Sequence, residues 1–393
     1  MSRPLDGILV VTLEHAIAAP FCTRQLADLG ARVIKIERPG SGDFARAYDS
    51  RVRGLASHFV WTNRSKESVT LDLKHDAAKP ILTALLERAD VLVQNLAPGA
   101  AERLGLGFAE LSAKLPRLIV CDISGYGSSG PYAEKKAYDL LIQSESGFLS
   151  VTGTPDTPSK AGISIADISA GMYAYSSILA ALLQRGRTGR GAHLDVSMLE
   201  TMVEWMNFPL YYGFEGASPP KRTGASHATI HPYGPFRAGD GKLVMFGLQN
   251  EREWAVFCSK VLGQASLAHD ARFGSNAQRV AARTELDEII HAALSSSTAE
   301  QVVARLDAAG IANARINDIA EVWQHPQLAA RNRWRNIETS QGVVPALLPP
   351  AGIDGVEPRM DPVPVLGEHT EAVLSELGYG DLEIARMRAA AVI

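Results

Sequence analysis

Residues 8–37 read ILVVTLEHAIAAPFCTRQLADLGARVIKIE, and this stretch decides the fold. Ile8 to Leu13 is an apolar run of strand length, Ala19 to Leu29 carries a helical pattern, and Val33 to Glu37 returns to a strand, so the segment predicts a βαβ unit. The rhythm continues outward. SVTLDL from Ser68, a helix from about Lys79 to Arg88, VLVQN from Val91, a helix from about Ala100 to Lys114 and LIVCDIS from Leu118 repeat it. Strands alternating with helices predict a parallel sheet covered on both faces, because each parallel crossover lays a helix over the sheet. A long helical region follows Asp167, then a strand HLDVS from His193 and a helix from Met198 to Met206.

Composition changes after Gly213. The segment GASPPKRTGASHATIHPYGPF, from Gly216 to Phe236, is rich in Gly, Pro, Ser and His and reads as a linker or functional loop. RAGDGKLVMFG from Arg237 predicts a hairpin turning at Gly239-Asp240-Gly241, and helices follow from Glu251 and Thr284. Ser297-Thr298-Ala299-Glu300 reads as a capping box for a helix that stops at Gly310. A Pro-rich connector from Pro345 to Pro364 leads to a last helix from Thr370 to Leu377. No internal repeat is evident.

The charge balance, 39 Lys and Arg against 43 Asp and Glu, shows no excess that would mark nucleic acid or an anionic membrane as partner. Cys22, Cys121 and Cys258 stand far apart without CxxC spacing, so neither a disulfide framework nor a zinc site is expected, and the expected compartment is reducing cytoplasm. Asp6 and Glu14 around the first apolar run do not fit a signal peptide. Between Lys160 and Arg185 Asp167 is the sole formal charge, but several Gly and Ser make the stretch too polar for lipid and predict a buried segment.

Several chemistries are excluded by missing motifs. A nicotinamide cofactor needs Gly-x-Gly-x-x-Gly directly after the first strand, where this chain has Glu14-His15-Ala16-Ile17-Ala18-Ala19, and GSGDFAR at Gly40 follows the second strand instead. Neither a Walker phosphate loop nor Gly-x-Ser-x-Gly occurs. His15, His227 and His231 are too scattered for a metal site. Asp167 remains. In SIADISAGMYAYSSILAALL, Ile168, Met172, Tyr175 and Leu179 recur at helical spacing, which puts Asp167 at or near a helix start. A capping aspartate would do no more than satisfy backbone donors there. The same helix terminus would also keep a partly desolvated carboxylate ionised and usable as a nucleophile.

Six blocks, LEHAIAAPFCTRQLADLGARVIKIERPGSGDFAR, NRSKESVTLDLK, QNLAPGAAERLG, SGYGSSGPYAEKKAYD, the Asp167 segment and PVPVLGEHTEAVL, resemble the class III CoA-transferases, the family of formyl-CoA transferase and carnitine CoA-transferase. The N-terminal and Asp167 blocks look most similar to itaconate CoA-transferases that use succinyl-CoA. The resemblance implies an α/β fold: a Rossmann-like large domain formed by both chain ends, a smaller inserted α+β domain, and an interlocked homodimer. On this reading residues 1–213 form the large domain, 214–236 a linker, 237–330 the small domain, and 331–393 the connector and return to the large domain.

Asp167 matches the family's catalytic aspartate, which the resemblance implies passes through a mixed anhydride and an aspartyl-CoA thioester. Arg38, Lys74, Arg103 and Lys136 match positions that contact CoA, with Ala18, Leu71, Asn95, Leu96 and Tyr138 along the same wall. No permanently bound cofactor is implied; CoA thioesters are substrates, and neither nucleic acid nor membrane is expected as partner. Ile17 stands where formyl-CoA transferase has glutamine, and the loop Arg222-Thr223-Gly224-Ala225-Ser226-His227 replaces a glycine run. Arg222, His227 or His231 is expected to read the acceptor's second carboxylate, because a dicarboxylate needs donors at that end. The nearest rival is an α-methylacyl-CoA racemase, whose histidine base is replaced here by Tyr138 of Ala137-Tyr138-Asp139; a phenol near pKa 10 is a poor base at neutral pH. A non-catalytic acyl-CoA-binding protein is the other alternative.

Overall fold

In the computed structural model, which describes residues 2–393, β1 (Leu9–Leu13), β2 (Arg32–Glu37), β3 (Lys66–Thr70), β4 (Val91–Gln94), β5 (Ile119–Ser124) and β6 (His193–Ser197) form one sheet. Its order is β3-β2-β1-β4-β5-β6 and every pair is parallel. Val10 and Val11 of β1 are fully buried, as central strands covered on both faces must be. The chain winds outward from β1 through β2 to β3, then crosses back to β4 and winds the other way. The order therefore reverses between β1 and β4, where their outgoing loops diverge and open a crevice at the carboxyl ends of the strands.

Contacts divide the chain into two units: residues up to Ser146, 161–206 and 327–393 form the first, and 147–160 with 207–326 form the second. The sequence reading drew its boundary at 213; by contacts it falls at Met206, and the upstream stretch 147–160 groups with the second unit. That second unit holds the antiparallel sheet β7 (Tyr233–Arg237), β8 (Leu243–Gly247) and β9 (Asn313–Arg315). Phe236, Phe246, Trp254, Phe257, Leu286 and Leu306 fill its own core.

Several local readings need correction. The helix expected from Ala100 to Lys114 is two, Ala100–Arg103 and Phe108–Lys114, separated at Gly105, whose φ of 73° is left-handed. The capping box uses Thr298 and Gln301, not Ser297 and Glu300, because Thr298 Oγ1 accepts the Gln301 N–H and the Gln301 side chain returns to the Thr298 N–H. The Pro-rich connector contains the hairpin β10 (Trp334–Ile337) and β11 (Val344–Leu347). The helix Thr370–Glu376 is followed by another, Asp381–Ala389, and Val373, Leu374, Ile384 and Val392 join the core of the large sheet. Val392 also accepts the Asp72 N–H through its carbonyl at 2.7 Å, which fixes the loop leaving β3.

The helix Ile165–Thr188 is long and apolar enough to cross a membrane by length and composition. Here it packs against β5, β6 and the helix Ala18–Asp28. Ala166, Ala170, Ala174 and Ile178 are completely buried at four-residue spacing, a stripe of mostly small side chains that lets backbones approach closely. The closest approach is at Gly171, where a Cβ would lie 2.6 Å from the Ala18 carbonyl oxygen and 3.0 Å from the Phe21 ring. Gly171→Ala must therefore push the two helices apart; urea unfolding of the full chain is expected to show a loss of about 1–3 kcal/mol.

Candidate active site

The end of β1, the middle of β2 and the start of β3 are tied together by charges buried in the sheet's interior. Glu14, just past β1, places Oε1 2.6 Å from Lys66 Nζ and 3.5 Å from Lys35 Nζ, while Oε2 accepts the hydroxyls of Thr23 at 2.6 Å and Thr12 at 2.9 Å. Lys35 donates to Asp43 at 2.6 Å, and both lysines share the Asn63 Oδ1. Lys66 also donates to the Pro20 carbonyl at 3.0 Å. Burial opposes every one of these charges, yet Lys66 and Lys35 outweigh it and hold the Glu14 carboxyl below its ordinary range. Asp43 is likewise held low, with burial overcome first by Lys35. Burial pulls Lys66 down to about 8 even though Glu14 opposes the shift.

Asp43 carries this cluster to the crevice. Its Oδ1 accepts the N–H groups of Ala45 at 2.9 Å and Ala16 at 3.1 Å. Ala16 has a φ of 61°, a conformation unfavourable for a residue with a Cβ, so this bond helps sustain a strained turn directly after β1. Asn95, directly after β4, accepts the His15 N–H and donates to the His15 carbonyl, both at 2.9 Å. That pair bridges β1 to β4 at the reversal point of the sheet. The His15 ring stacks on Phe44 at 5.1 Å.

Asp167 sits in the first turn of the helix Ile165–Thr188, beyond Ser164, which holds the cap position. Asp167 is thus not the cap, and its side chain caps nothing. No hydrogen bond to its carboxylate occurs among the described residues. Half-buried and beside Asp139, this carboxyl is pushed up to about 7, first by burial and then by the Asp139 charge. The expectation that the helix terminus holds it ionised is therefore corrected: Asp139, not Asp167, accepts the leading N–H groups of that helix. The Tyr48 phenol is within electrostatic range, pushed up to about 12 by burial, Asp43 and Asp167. Gly171, one turn further along, is the point of contact with Ala18, which sets Asp167 beside the turn after β1.

The remaining sequence candidates of the large unit follow the ends of strands. Ala18 and Leu71 are buried walls after β1 and β3. Leu96 lies after β4, where its N–H donates to Gln94 Oε1 at 2.7 Å. Arg38 directly follows β2 and is exposed; Lys74 and Lys136 are exposed too, and none of the three has an ion-pair partner among the described residues. Arg103 is exposed with only a 3.5 Å contact to the Pro98 carbonyl, beside a 350 Å³ cavity lined by Leu73, Leu82, Leu86, Arg103 and Leu106. Tyr138 is 69% exposed and leads the helix that carries Asp139. Cations without an ion-pair partner among the described residues at the carboxyl edge of the sheet suit a polyanionic ligand.

Arg222, His227 and His231 lie in the second unit. The Arg222 guanidinium donates to the carbonyls of Thr154 at 2.9 Å and Pro155 at 2.8 Å and braces that turn. His227 stacks on Tyr233, and burial together with Arg283 lowers its pKa. His231 is 2% exposed and is lowered to about 3 by burial and by Arg283 and Arg279. Both imidazoles are therefore largely neutral at pH 7, so each offers an N–H donor rather than a positive charge. The buried ion cluster, Tyr48 and the role of Asp139 were missed by the sequence reading. A charged residue inside or bordering each of three apolar strands, Glu14, Lys35 and Lys66, was the available signal for the first.

Residues 5–370 match the family model described as CoA-transferase family III. The chain is 35% identical over 385 residues to a succinate–glutarate CoA-transferase of Agrobacterium fabrum, covering 95% of this chain and 96% of that one. It is 38% identical to an acetyl-CoA:oxalate CoA-transferase of Acetobacter aceti over 84% of this chain and 85% of the other. Among solved structures, a CAIB/BAIF family protein from Brucella suis superposes with a TM-score of 0.83 at 34% identity, covering 96% of this chain and all of that one. Rv3272 from Mycobacterium tuberculosis gives 0.84 at 29% identity over 94% and 99%. The sheet, the crevice at its carboxyl edge and these likenesses agree: the chain belongs to CoA-transferase family III, and it is an enzyme of that class.

Removing one partner of the buried cluster leaves an uncompensated interior charge. Lys66→Met is expected to cost about 3–5 kcal/mol in denaturant unfolding, while the exposed pair Lys79–Asp76 can be broken at a cost of less than about 1 kcal/mol.

Proposed function

We propose that this enzyme moves CoA from succinyl-CoA to a small dicarboxylate, itaconate among the acceptors, with Asp167 as the nucleophile. The observation that carries the reading is an Asp167 carboxyl with no hydrogen-bond partner among the described residues, pushed up to about 7 and set at the crevice of a family III fold. Relatives named for succinyl-CoA and glutarate, D-citramalate, L-malate or mesaconate support the donor and the acceptor class. Arg38, Lys74, Arg103 and Lys136 would meet the phosphates of CoA, with Ala18, Leu71, Asn95, Leu96 and Tyr138 along its path.

The steps balance without water or net proton transfer. An Asp167 oxygen attacks the donor thioester carbonyl, the C–S bond breaks, and CoA thiolate leaves a mixed anhydride. The thiolate attacks the Asp167 carbonyl of that anhydride and releases succinate, forming an aspartyl-CoA thioester. The acceptor carboxylate attacks this thioester and frees the thiolate again. Its return to the acceptor carbonyl regenerates the Asp167 carboxylate and yields acceptor-CoA. Expelling a thiolate, whose thiol has a pKa of about 8.5, with an ordinary carboxylate of pKa about 4 runs uphill by several units. Raising Asp167 to about 7 narrows that gap, and every unit is worth about 1.4 kcal/mol.

Succinyl-CoA alone should form an Asp167 adduct that hydroxylamine traps, and mass spectrometry should place it on the Asp167 peptide. Asp167→Ala should abolish the adduct and lower CoA exchange by at least about 10³-fold; exchange at the original rate would overturn the assignment. A racemase would instead exchange the α-proton of a branched acyl-CoA. Because the nucleophile must be ionised and its pKa is raised, activity should fall below pH 7 and level off above it. A panel of itaconate, glutarate, citramalate, mesaconate, malate and oxalate decides the acceptor.

A homodimer, interlocked as the resemblance implies, is part of the same proposal. Phe208, Leu210, Tyr211, Tyr212 and Phe214 of the second unit are 48–75% exposed in the single chain, a cluster of large apolar groups of the kind that a partner surface covers. Light scattering should give twice the chain mass of 42.2 kDa.

A further inference from the structure

The helix that carries Asp167 is capped by a residue from elsewhere in the chain. Ser164 makes no side-chain cap bond. Instead Asp139, in the first turn of the helix Asp139–Glu145, accepts the Ala166 N–H at 2.8 Å and the Asp167 N–H at 3.3 Å through Oδ1. Its Oδ2 accepts from Gln143 Nε2 at 2.7 Å, and the fully buried Gln143 accepts the Ala161 N–H at 2.9 Å. One aspartate and one glutamine thus hold the approach to Asp167 at Ala161 and at Ala166. A helix terminus ordinarily stabilises whichever anion lies nearest its free N–H groups. Here those donors are already engaged.

We propose that Asp139 is a positioning residue for the transfer reaction: its carboxylate takes the leading donors of the Asp167 helix, fixing the turn that carries Asp167 while withholding those donors from the Asp167 carboxylate. The inference rests on Asp167 as the nucleophile. It explains how a carboxyl in the first turn of a helix stays basic enough to expel a thiolate. Burial contributes most to the rise of Asp167, and Asp139 is the one charge that adds to it. On the helices packed alongside, Ala18–Asp28 and Met198–Trp205, no charged group among the described residues acts on Asp167. Tyr48, with Asp43 and Tyr138 near it, is a further titratable group in range of Asp167, and its phenol, pushed up to about 12, stays neutral through the assay range.

The test titrates Asp167 directly. Protein labelled with 13C at the aspartate carboxyls is followed by NMR against pH, with the Asp167 signal assigned by its loss in Asp167→Asn. Asp139→Asn keeps an oxygen acceptor and removes the charge; Asp139→Ala removes both. In Asp139→Asn the Asp167 midpoint should fall by about one unit, so the rate at pH 6 relative to pH 8 should rise about five-fold. Asp139→Ala should lower kcat at pH 8 at least ten-fold further than Asp139→Asn, with the KM for succinyl-CoA changing little. An Asp167 midpoint within about 0.3 unit of the unmodified protein in Asp139→Asn, or equal kcat in the two variants, overturns the proposal. The titration needs no turnover and decides the matter even if the alanine variant does not fold. It also separates the two ideas: CoA exchange surviving in Asp167→Ala removes the nucleophile, whereas an unmoved midpoint removes the role of Asp139 alone.

Discussion

The Glu14 carboxylate, shared between Lys66 and Lys35 in the interior of the sheet, is the interaction on which the rest of this molecule depends. Ions removed from water are costly, and they are tolerated only when every oxygen and ammonium finds a partner in good geometry. Here Thr12, Thr23, Asn63, Asp43 and the Pro20 carbonyl complete that shell. The same contacts leave the participating segments little freedom. They join β1, β2 and β3 to the start of the helix Ala18–Asp28 and, through Asp43, to the strained Ala16 turn. The crevice wall is thereby set by electrostatic satisfaction as much as by apolar packing.

Glu14 and Asp167 are two carboxylates of one α/β unit in opposite states. Both are desolvated, which alone would raise both. Two lysines hold Glu14 ionised, whereas Asp167 has no cation acting on it among the described residues and faces Asp139. Their partners, not their depth, separate a structural acid from a reactive one. Arg38, Lys74 and Lys136, without an ion-pair partner among the described residues, belong to a third category. Exposed and unpaired, they contribute little to the fold and remain available to a polyanion arriving from solvent.

The sheet was legible because its signal is local. Apolar runs such as ILVVTL, VLVQN and LIVCDIS differ in length and periodicity from the helices between them, and each strand of the large sheet begins within two residues of its expected start, although β3 ends three residues earlier than SVTLDL. Readings failed where geometry between distant segments mattered. Gly105 gave no hint that it would break a helix, since glycine is tolerated in helices until φ turns positive. Thr298 and Ser297 are equally good caps on paper, and only the approach of Gln301 decided between them. Asp167 was found, but its reading as a possible cap failed, because the residue that does the capping lies in another helix.

Sequence alone determined the alternation of strands and helices, the absence of the glycine fingerprints of nucleotide folds, and the six blocks that mark family III, all of which are properties of neighbouring residues. Tertiary structure decided which charges are quenched and which are reactive. Glu14, Lys35 and Lys66 are scattered along the chain and meet only once the strands align in parallel register, and Asp139 reaches the Asp167 helix only through packing. Desolvation and Coulomb energy depend on distances in space, which spacing along a chain does not contain.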